Sequence, residues 1–249
     1  MRLIPVLDIL NGQAVHAVAG QRDCYQQLTS IWTRSCHPVD VVKALRDAYG
    51  FRELYVADLD GILQGRPNRQ LIQQLANLLP GLWLDAGFRN VEAAKEWARE
   101  FSCRPVLGLE TLDFGASDES VDAVSWQVLT AAGALLSLDA YQGQLRVAEV
   151  RWRSWSVAEL VAWWRQRGWQ NFLALDLASV GTGQLHWSWQ LLRTARSAAP
   201  QARWYLGGGV RSVDDLHLLA GDNVEAVLVA SALHDGRILP DQVRSFVQV

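Results

Sequence analysis

The stretch Tyr205-Leu206-Gly207-Gly208-Gly209-Val210-Arg211-Ser212 follows an apolar run that starts at Trp204, and it leads into helix-forming sequence. Glycines after a strand let the backbone approach an anion through bare N–H groups, and the following helix points the positive end of its dipole at the same place. The pattern indicates a phosphate loop, although a triple glycine alone also fits a tight turn between a strand and a helix.

A second segment strengthens this interpretation. Residues 226–230 read AVLVA, a buried-strand pattern, and Ser231 begins a short helical turn. Two successive strand ends facing one anion are what the last two strands of a (β/α)₈ barrel provide. We therefore predict one phosphate site, formed by Gly207, Gly208, Gly209, Arg211, Ala230 and Ser231.

Further apolar runs of strand length precede the phosphate loop, with helix-like segments between them. The runs are Leu3 to Leu7, Leu54 to Ala57, Leu82 to Leu84, Pro105 to Leu107, Ala134 to Leu138 and Phe172 to Leu175. The helix-like segments include Pro38 to Tyr49, Val91 to Phe101 and a weaker one near Asp118 to Ala131. Parallel strands need helical crossovers, and eight of them can close without an edge. The sequence therefore predicts an α/β protein with one domain over residues 1–249, a TIM barrel.

The second half of the chain repeats the first. The pattern L-D-x-x-x-G-Q occurs at Leu7 to Gln13 and again at Leu138 to Gln144, and Trp83 to Val91 aligns with Tyr205 to Val213. Four such matches keep their order at offsets of roughly 120 to 130 residues. This predicts two half-barrels, about 1–130 and 131–249.

Composition limits the functional classes. The net charge of −3, without a long basic run, argues against nucleic-acid binding. The first residues, MRLIPVLDIL, do not form a signal peptide, and no apolar run is long enough to span a membrane, so we expect a cytoplasmic protein without a membrane partner. Lys43 and Lys95, the two lysines, lie in helix-like segments, which excludes a Schiff-base lysine at a strand end.

Carboxylates follow several predicted strands. Asp8 and Asp139 could transfer protons as a pair with separated pKa values, or each could cap its own turn. Asp58 could contact the substrate or anchor a loop. Asp85, Glu110 and Asp176, beside Arg89, favour recognition of a cationic or hydroxyl-rich group. A divalent metal is the alternative, but no His or Cys joins these acids at ligand spacing, so we predict neither a metal nor a cofactor.

Other residue types carry weaker signals. His16, His186, His217 and His234 show no spacing typical of a nucleophile and its base, and we interpret them as structural. The adjacent Trp163 and Trp164 cannot both face the barrel, so one is expected in a subunit contact or a shallow groove, and a homodimer is possible. The polar segment Gly20 to His37 is longer than most connections and is predicted to cover the barrel mouth.

The chain resembles the histidine-biosynthesis barrels, the HisA isomerase and HisF cyclase family, over essentially its whole length. The matching pieces are I-P-V-L-D at Ile4 to Asp8, Y-V-A-D-L-D at Tyr55 to Asp60, L-S-L-D at Leu136 to Asp139 and G-G-G-V-R-S at Gly207 to Ser212. The isomerase branch fits better. The resemblance implies that Asp8 is the base in an Amadori rearrangement of an aminoaldose to an aminoketose and that Asp139 is an active-site carboxylate.

The chain also departs from the family pattern. Val180-Gly181-Thr182 stands where the isomerases have D-G-T with a second catalytic acid, and Asp176 is a candidate replacement acid. The first-half phosphate loop reads Asp85-Ala86-Gly87-Phe88-Arg89, and its partner turn ends in Glu110. The repulsion between these two carboxylates and a bound phosphate dianion would cost several kcal/mol, so this half should no longer bind phosphate.

These observations predict a HisA-like enzyme, an acid–base isomerase or related lyase that acts on a phosphorylated sugar or aminosugar. The substitutions argue against the standard isomerisation of the histidine pathway. The alternative is a catalytically silent barrel that binds a phosphorylated metabolite, as a regulatory or scaffolding subunit.

Overall fold

Eight parallel strands close into a barrel in the computed structural model, which describes residues 1–113 and 123–247. In chain order the barrel strands are β1 (Arg2–Leu10), β4 (Glu53–Asp58), β5 (Gly81–Asp85), β6 (Arg104–Gly108), β7 (Leu135–Tyr141), β9 (Asn171–Asp176), β10 (Arg203–Gly207) and β11 (Ala226–Val229). Strands β1 and β11 pair in parallel, so the sheet closes on itself. The predicted TIM barrel is confirmed, whereas its origin from two half-barrels stays a prediction.

Three short strands and nine α-helices accompany the barrel strands in the described residues, together with three short 3-10 helices. The short strands, which pair antiparallel at the barrel mouth, are β2 (Gln13–His16), β3 (Gln26–Gln27) and β8 (Gln144–Leu145). The helices are α1 (Pro38–Tyr49), α2 (Leu59–Gln64), α3 (Arg69–Ala76), α4 (Val91–Phe101), α5 (Ala123–Ala131), α6 (Val157–Gln166), α7 (His186–Ala198), α8 (Val213–Ala220) and α9 (Ser231–His234). Of the predicted helix from Asp118 to Ala131, residues 118–122 lie outside the described part of the chain.

The helices between the strands form for local reasons. Helix α1 begins with Pro38 at its first position, buries Val41, Val42 and Leu45 on one face, and ends at Gly50, whose φ of 76° is left-handed. Helix α4 begins at Asn90, whose side chain accepts a hydrogen bond from the N–H of Ala93. Both helices match the ranges expected from their apolar spacing.

Strand pleating decides which side chains reach the barrel interior, because successive residues face opposite sides of a sheet. One buried interior cluster includes Ile4, Tyr55, Trp83, Val106, Leu135, Leu173 and Tyr205. Residues two or four positions further along the same strands face the interior near the barrel mouth. At that level Asp8 is in register with Ala57 and Ala57 with Asp85, while Asp139 is in register with Leu175 and Leu175 with Gly207. The pleat therefore brings Asp8, Asp85 and Asp139 to one mouth.

The tryptophan-rich segment packs outside the sheet. Trp152, Trp164 and Trp169 are buried, and the half-buried Trp163 contacts Trp152 and Trp155 edge to face. Trp163 and Trp164 thus differ in burial, as their adjacency predicts, and a subunit contact through this region stays a prediction. None of the described helices has both the length and the apolar character needed to cross a bilayer.

Candidate active site

A pocket opens at the carboxyl ends of the barrel strands and has two chemically different ends. We call one the acidic end and the other the glycine end. The acidic end comprises Asp8, Arg22, Tyr25, Tyr55, Asp85, Glu110 and Asp139. The glycine end comprises Gly207, Gly208, Gly209, Ala230, Ser231 and Arg237. The mouth of a TIM barrel is where enzymes of this fold place their active sites.

The glycine end presents unoccupied backbone donors. Gly208 and Gly209 have φ values of 88° and 89°, and a Cβ on Gly209 would lie 2.4 Å from the Gln184 carbonyl oxygen. Glycine is therefore required at Gly209 both by the dihedral angle and by the close approach. The N–H groups of Gly208, Gly209 and Ala230 make no hydrogen bond to the residues that the structure describes. Convergent N–H groups of this kind bind anions.

The cation at the glycine end differs from the predicted one. Arg211 is exposed and does not line the pocket, and its N–H donates to the Asp215 carboxylate at 2.9 Å within the cap of α8. Arg237 is also exposed, but it lines the pocket, and its guanidinium is paired with the Asp235 carboxylate at 2.6 Å. His16, interpreted from the sequence as structural, has its Nε2 2.8 Å from Ser231 Oγ. Arg237 lies in no recognisable motif, which is why sequence reasoning missed it.

The corresponding loops of the first half have no such donors. The N–H of Gly87 donates to Asp85 Oδ1 at 3.0 Å, and the N–H of Glu110 donates to Asp139 Oδ2 at 3.3 Å. Arg89 is exposed and lies outside the pocket lining. The protein's own carboxylates therefore use the N–H groups that an anion would need.

The carboxylates of the acidic end converge over Gly108. A Cβ on Gly108 would lie 2.9 Å from Asp139 Oδ2 and 3.4 Å from Asp85 Oδ2, so both carboxylates fill the space where another residue would have a side chain. Asp139 also accepts a hydrogen bond from Ser137 Oγ at 2.6 Å. Glu110 forms an ion pair with Arg22, which arrives on the segment after β2.

Burial changes the protonation of these acids. It raises the pKa of Asp8 to about 7 against the opposing effect of Arg22. Burial also raises the pKa of Asp85 to about 7, although the hydrogen bond from Gly87 opposes it. The pKa of Asp139 is raised well above its ordinary value, first by burial and then by the charges of Glu110 and Asp85. Burial therefore favours the protonated form of Asp139, while Asp8, with its pKa of about 7, can both accept and release a proton near neutral pH.

Asp58 and Asp176 do not line the pocket, because each follows an interior residue by one position and so faces outward. Asp58 accepts hydrogen bonds from the N–H groups of Gly61 and Asn68 at 3.1 and 2.8 Å. Asp176 accepts from those of Gln142, Gly143 and Ala178 at 3.1, 2.7 and 2.9 Å. In these bonds both carboxylates anchor loops, the alternative that the sequence left open for Asp58.

Three residues of the acidic end were not among the predicted site residues. Arg22 and Tyr25 belong to the segment Gly20 to His37, and their position confirms that this segment reaches over the mouth. Tyr55 shares strand parity with Ala57, a signal that could have placed it inside the barrel. Within the described residues, no group of three His, Cys, Asp or Glu side chains is arranged to hold a metal ion.

Comparison with known proteins identifies relatives along nearly the whole chain. Residues 2–239 match the family described as histidine biosynthesis protein. An uncharacterized protein of Methanocaldococcus jannaschii is 28% identical over 236 residues, covering 95% of this chain and 94% of that protein. An imidazole-4-carboxamide isomerase of Thermus thermophilus, whose name specifies two phosphoribosyl groups, is 31% identical over 243 residues, covering 96% of each chain. The isomerase of that name from Lacticaseibacillus casei is 29% identical, again over 96% of each chain.

Proposed function

The chain belongs to the histidine biosynthesis protein family, and from this premise we propose that it is an acid–base isomerase, or a related lyase, whose sugar or aminosugar substrate carries one phosphate. The two phosphoribosyl groups in the name of the isomerase relatives would require two phosphate sites. The unequal ends of this pocket favour one.

The observation that carries the proposal is the different use of backbone donors in the two halves of the barrel. The N–H groups of Gly208 and Gly209 have no acceptor among the described residues, whereas those of Gly87 and Glu110 are bonded to carboxylates. A phosphate therefore gains donors at the glycine end and meets negative charge at the acidic end.

The acid–base chemistry is assigned to Asp8 and Asp139. Asp139 would donate a proton to the ring oxygen as the sugar ring opens, because burial and its acidic neighbours keep it protonated. Asp8 would take the proton from the carbon next to the carbonyl or imine, because its pKa of about 7 is suited to a base near neutral pH. Asp176, proposed from the sequence as a replacement acid, is better suited to hold the Gln142-Gly143 turn.

The test measures binding and proton exchange separately. A panel of sugar and aminosugar monophosphates is incubated with the protein in D₂O, and NMR follows both isomer formation and loss of the proton next to the carbonyl carbon. Asp8→Asn should abolish exchange while phosphate-dependent binding remains. Asp60→Asn, which changes an acid that does not line the pocket, should leave both unchanged.

The same experiment addresses the catalytically silent alternative. Tight binding of a monophosphate by the unaltered protein, without exchange or turnover of any bound member of the panel, would support a binding or scaffolding barrel. Exchange that survives Asp8→Asn would contradict the role assigned to Asp8.

A further inference from the structure

The acidic end contains polar groups that the protein itself does not satisfy. The Tyr55 side chain is 3% exposed and lines the pocket, yet its hydroxyl makes no hydrogen bond to the described residues. The Asp8 carboxyl likewise has no hydrogen-bond partner among the described residues. Asp85 accepts a hydrogen bond from the N–H of Gly87 through Oδ1, but its Oδ2 has no partner there. None of these atoms is sealed off within the protein; they face the pocket, so a ligand that enters it can supply the hydrogen-bond partners that they lack.

The charge balance indicates the sign of that ligand. Four carboxyl groups, those of Asp8, Asp85, Glu110 and Asp139, surround Tyr55 and are close enough to raise its pKa after burial has done so. Arg22 is the only cation among the described residues that lines this end, and Glu110 pairs with it. Asp8 and Asp85, whose pKa values are about 7, are therefore mainly ionised at pH 8 without a contacting cation, whereas burial favours the protonated form of Asp139. A ligand cation would remove this imbalance, whereas a neutral hydroxyl would leave it.

The types of acceptor atoms at the acidic end also indicate which kind of cation could bind there. Carboxylate oxygens and a tyrosine hydroxyl accept hydrogen bonds from several directions, which suits the three donors of a primary ammonium group. No metal-binding trio exists among the described residues, so the geometry does not favour a divalent ion. Gly108 has no side chain, which lets the Asp85 and Asp139 carboxylates come together at the same side of the pocket.

We propose that Tyr55 and Asp85, beside the acid–base pair Asp8 and Asp139, bind a primary ammonium group at the end of the substrate opposite its phosphate. This rests on the proposed function, since the phosphate at Gly208 and Gly209 sets the direction in which the substrate lies. The substrate class is then an amine-bearing phosphate monoester. The acidic end would thus be a cation site, at the position where a substrate with two phosphates would need a second anion site.

The experiment uses two matched series of probes, ω-aminoalkyl phosphates and ω-hydroxyalkyl phosphates with chains of two to six carbons. Calorimetry at pH 8 measures their affinities together with that of inorganic phosphate. At the chain length that spans the pocket, the amine should bind about ten- to a hundredfold more tightly than the alcohol, as expected for charge-assisted hydrogen bonds. Equal affinities for the two series at every length would overturn the proposal.

Two variants assign the preference to the acidic end. Asp85→Asn and Tyr55→Phe should each reduce the preference for the amine several-fold while leaving the affinity for inorganic phosphate unchanged. Tyr205→Phe is the matched control, because it also removes a buried tyrosine hydroxyl, one bonded to Arg104 at 2.9 Å and not part of the pocket lining. A preference that survives both variants would place the ammonium elsewhere and overturn the proposal.

The outcomes separate this inference from the function on which it rests. Binding of inorganic phosphate and of both series with equal affinity refutes the ammonium site but retains the single phosphate site. Failure of inorganic phosphate and of every ester to bind refutes the proposed function, and the ammonium proposal falls with it.

Discussion

Neutralising Asp85 should make the protein more stable, and by an amount that depends on pH. In the unfolded chain Asp85 ionises near its ordinary pKa of 3.8, whereas burial raises the pKa to about 7 in the folded protein. The folded state therefore binds more protons between these values, so stability is lost as the pH rises through this window and levels off above about pH 7. Asn removes the charge and can still accept the hydrogen bond from Gly87.

The magnitude follows from the two pKa values. At about 1.4 kcal/mol for each pKa unit, the raised pKa of Asp85 costs the fold about 4 kcal/mol at pH 8, where the folded carboxyl is ionised, and about 1.5 kcal/mol at pH 5, where it must take up a proton on folding. Asp85→Asn should therefore raise the free energy of unfolding by up to these amounts. Its advantage should grow by about 3 kcal/mol between the two pH values, because each of the two pH units from 5 to the folded pKa of about 7 contributes about 1.4 kcal/mol.

Urea unfolding followed by circular dichroism at pH 5 and pH 8 measures this difference. Asp60→Asn serves as the control, because Asp60 lies outside the pocket and its neutralisation should change stability little at either pH. An Asp85→Asn variant that is no more stable than the unaltered protein at pH 8, or whose advantage is the same at both pH values, would refute the reasoning. Such a result would mean that the buried charge of Asp85 does not destabilise the folded protein.

Three further outcomes are expected. Phosphate soaked into crystals should bind at the N–H groups of Gly208 and Gly209 beside Ser231, and density found instead only at Gly87 would contradict the assignment of the glycine end. Arg237→Gln should weaken the binding of inorganic phosphate about tenfold through the loss of a charge-assisted contact, whereas Arg211→Gln should not; calorimetry that ranks the two variants in the opposite order would restore the sequence-based choice of Arg211. The gene should fail to rescue a strain that lacks the histidine-pathway isomerase, since losing a general acid typically removes two to four orders of magnitude in rate, and growth of that strain would show that the second phosphate site and the missing acid are dispensable.

The fold could be predicted because its signals are local and repeated. Apolar runs of strand length, separated by helices such as Pro38–Tyr49 with clear apolar spacing, leave few arrangements other than a closed parallel barrel. The glycines at 207 to 209 could be predicted for the same reason, since their dihedral angles and close packing depend on immediate neighbours. Asp8 and Asp139 could be predicted at the mouth because each directly follows an apolar run of strand length in the sequence.

The positions of the remaining site residues could not be predicted from motifs, because they depend on strand phase and on the folded path of the chain. Asp58 and Asp176 also stand at strand ends, but one position out of phase with the interior, so their carboxylates bind loop N–H groups. A consistent count of strand parity from Tyr55 would have separated the two cases. Arg22 and Arg237 reach the pocket from irregular segments, where side-chain direction follows from the folded path of the chain.

Because β1 pairs with β11, the barrel can close only after all of its strands have been synthesised. Residues Arg2 to Pro5 are synthesised well before their partners, Ala226 to Val229, which follow in the chain only after all seven other barrel strands. For most of translation the nascent sheet therefore exposes an edge that can pair wrongly with another chain. The strands that carry Asp8, Asp85 and Asp139 have all been synthesised by the time Tyr141 is added, whereas the glycine end forms only after β10 and β11. During synthesis the strands of the acidic end are therefore present well before the proposed phosphate site at the glycine end can form.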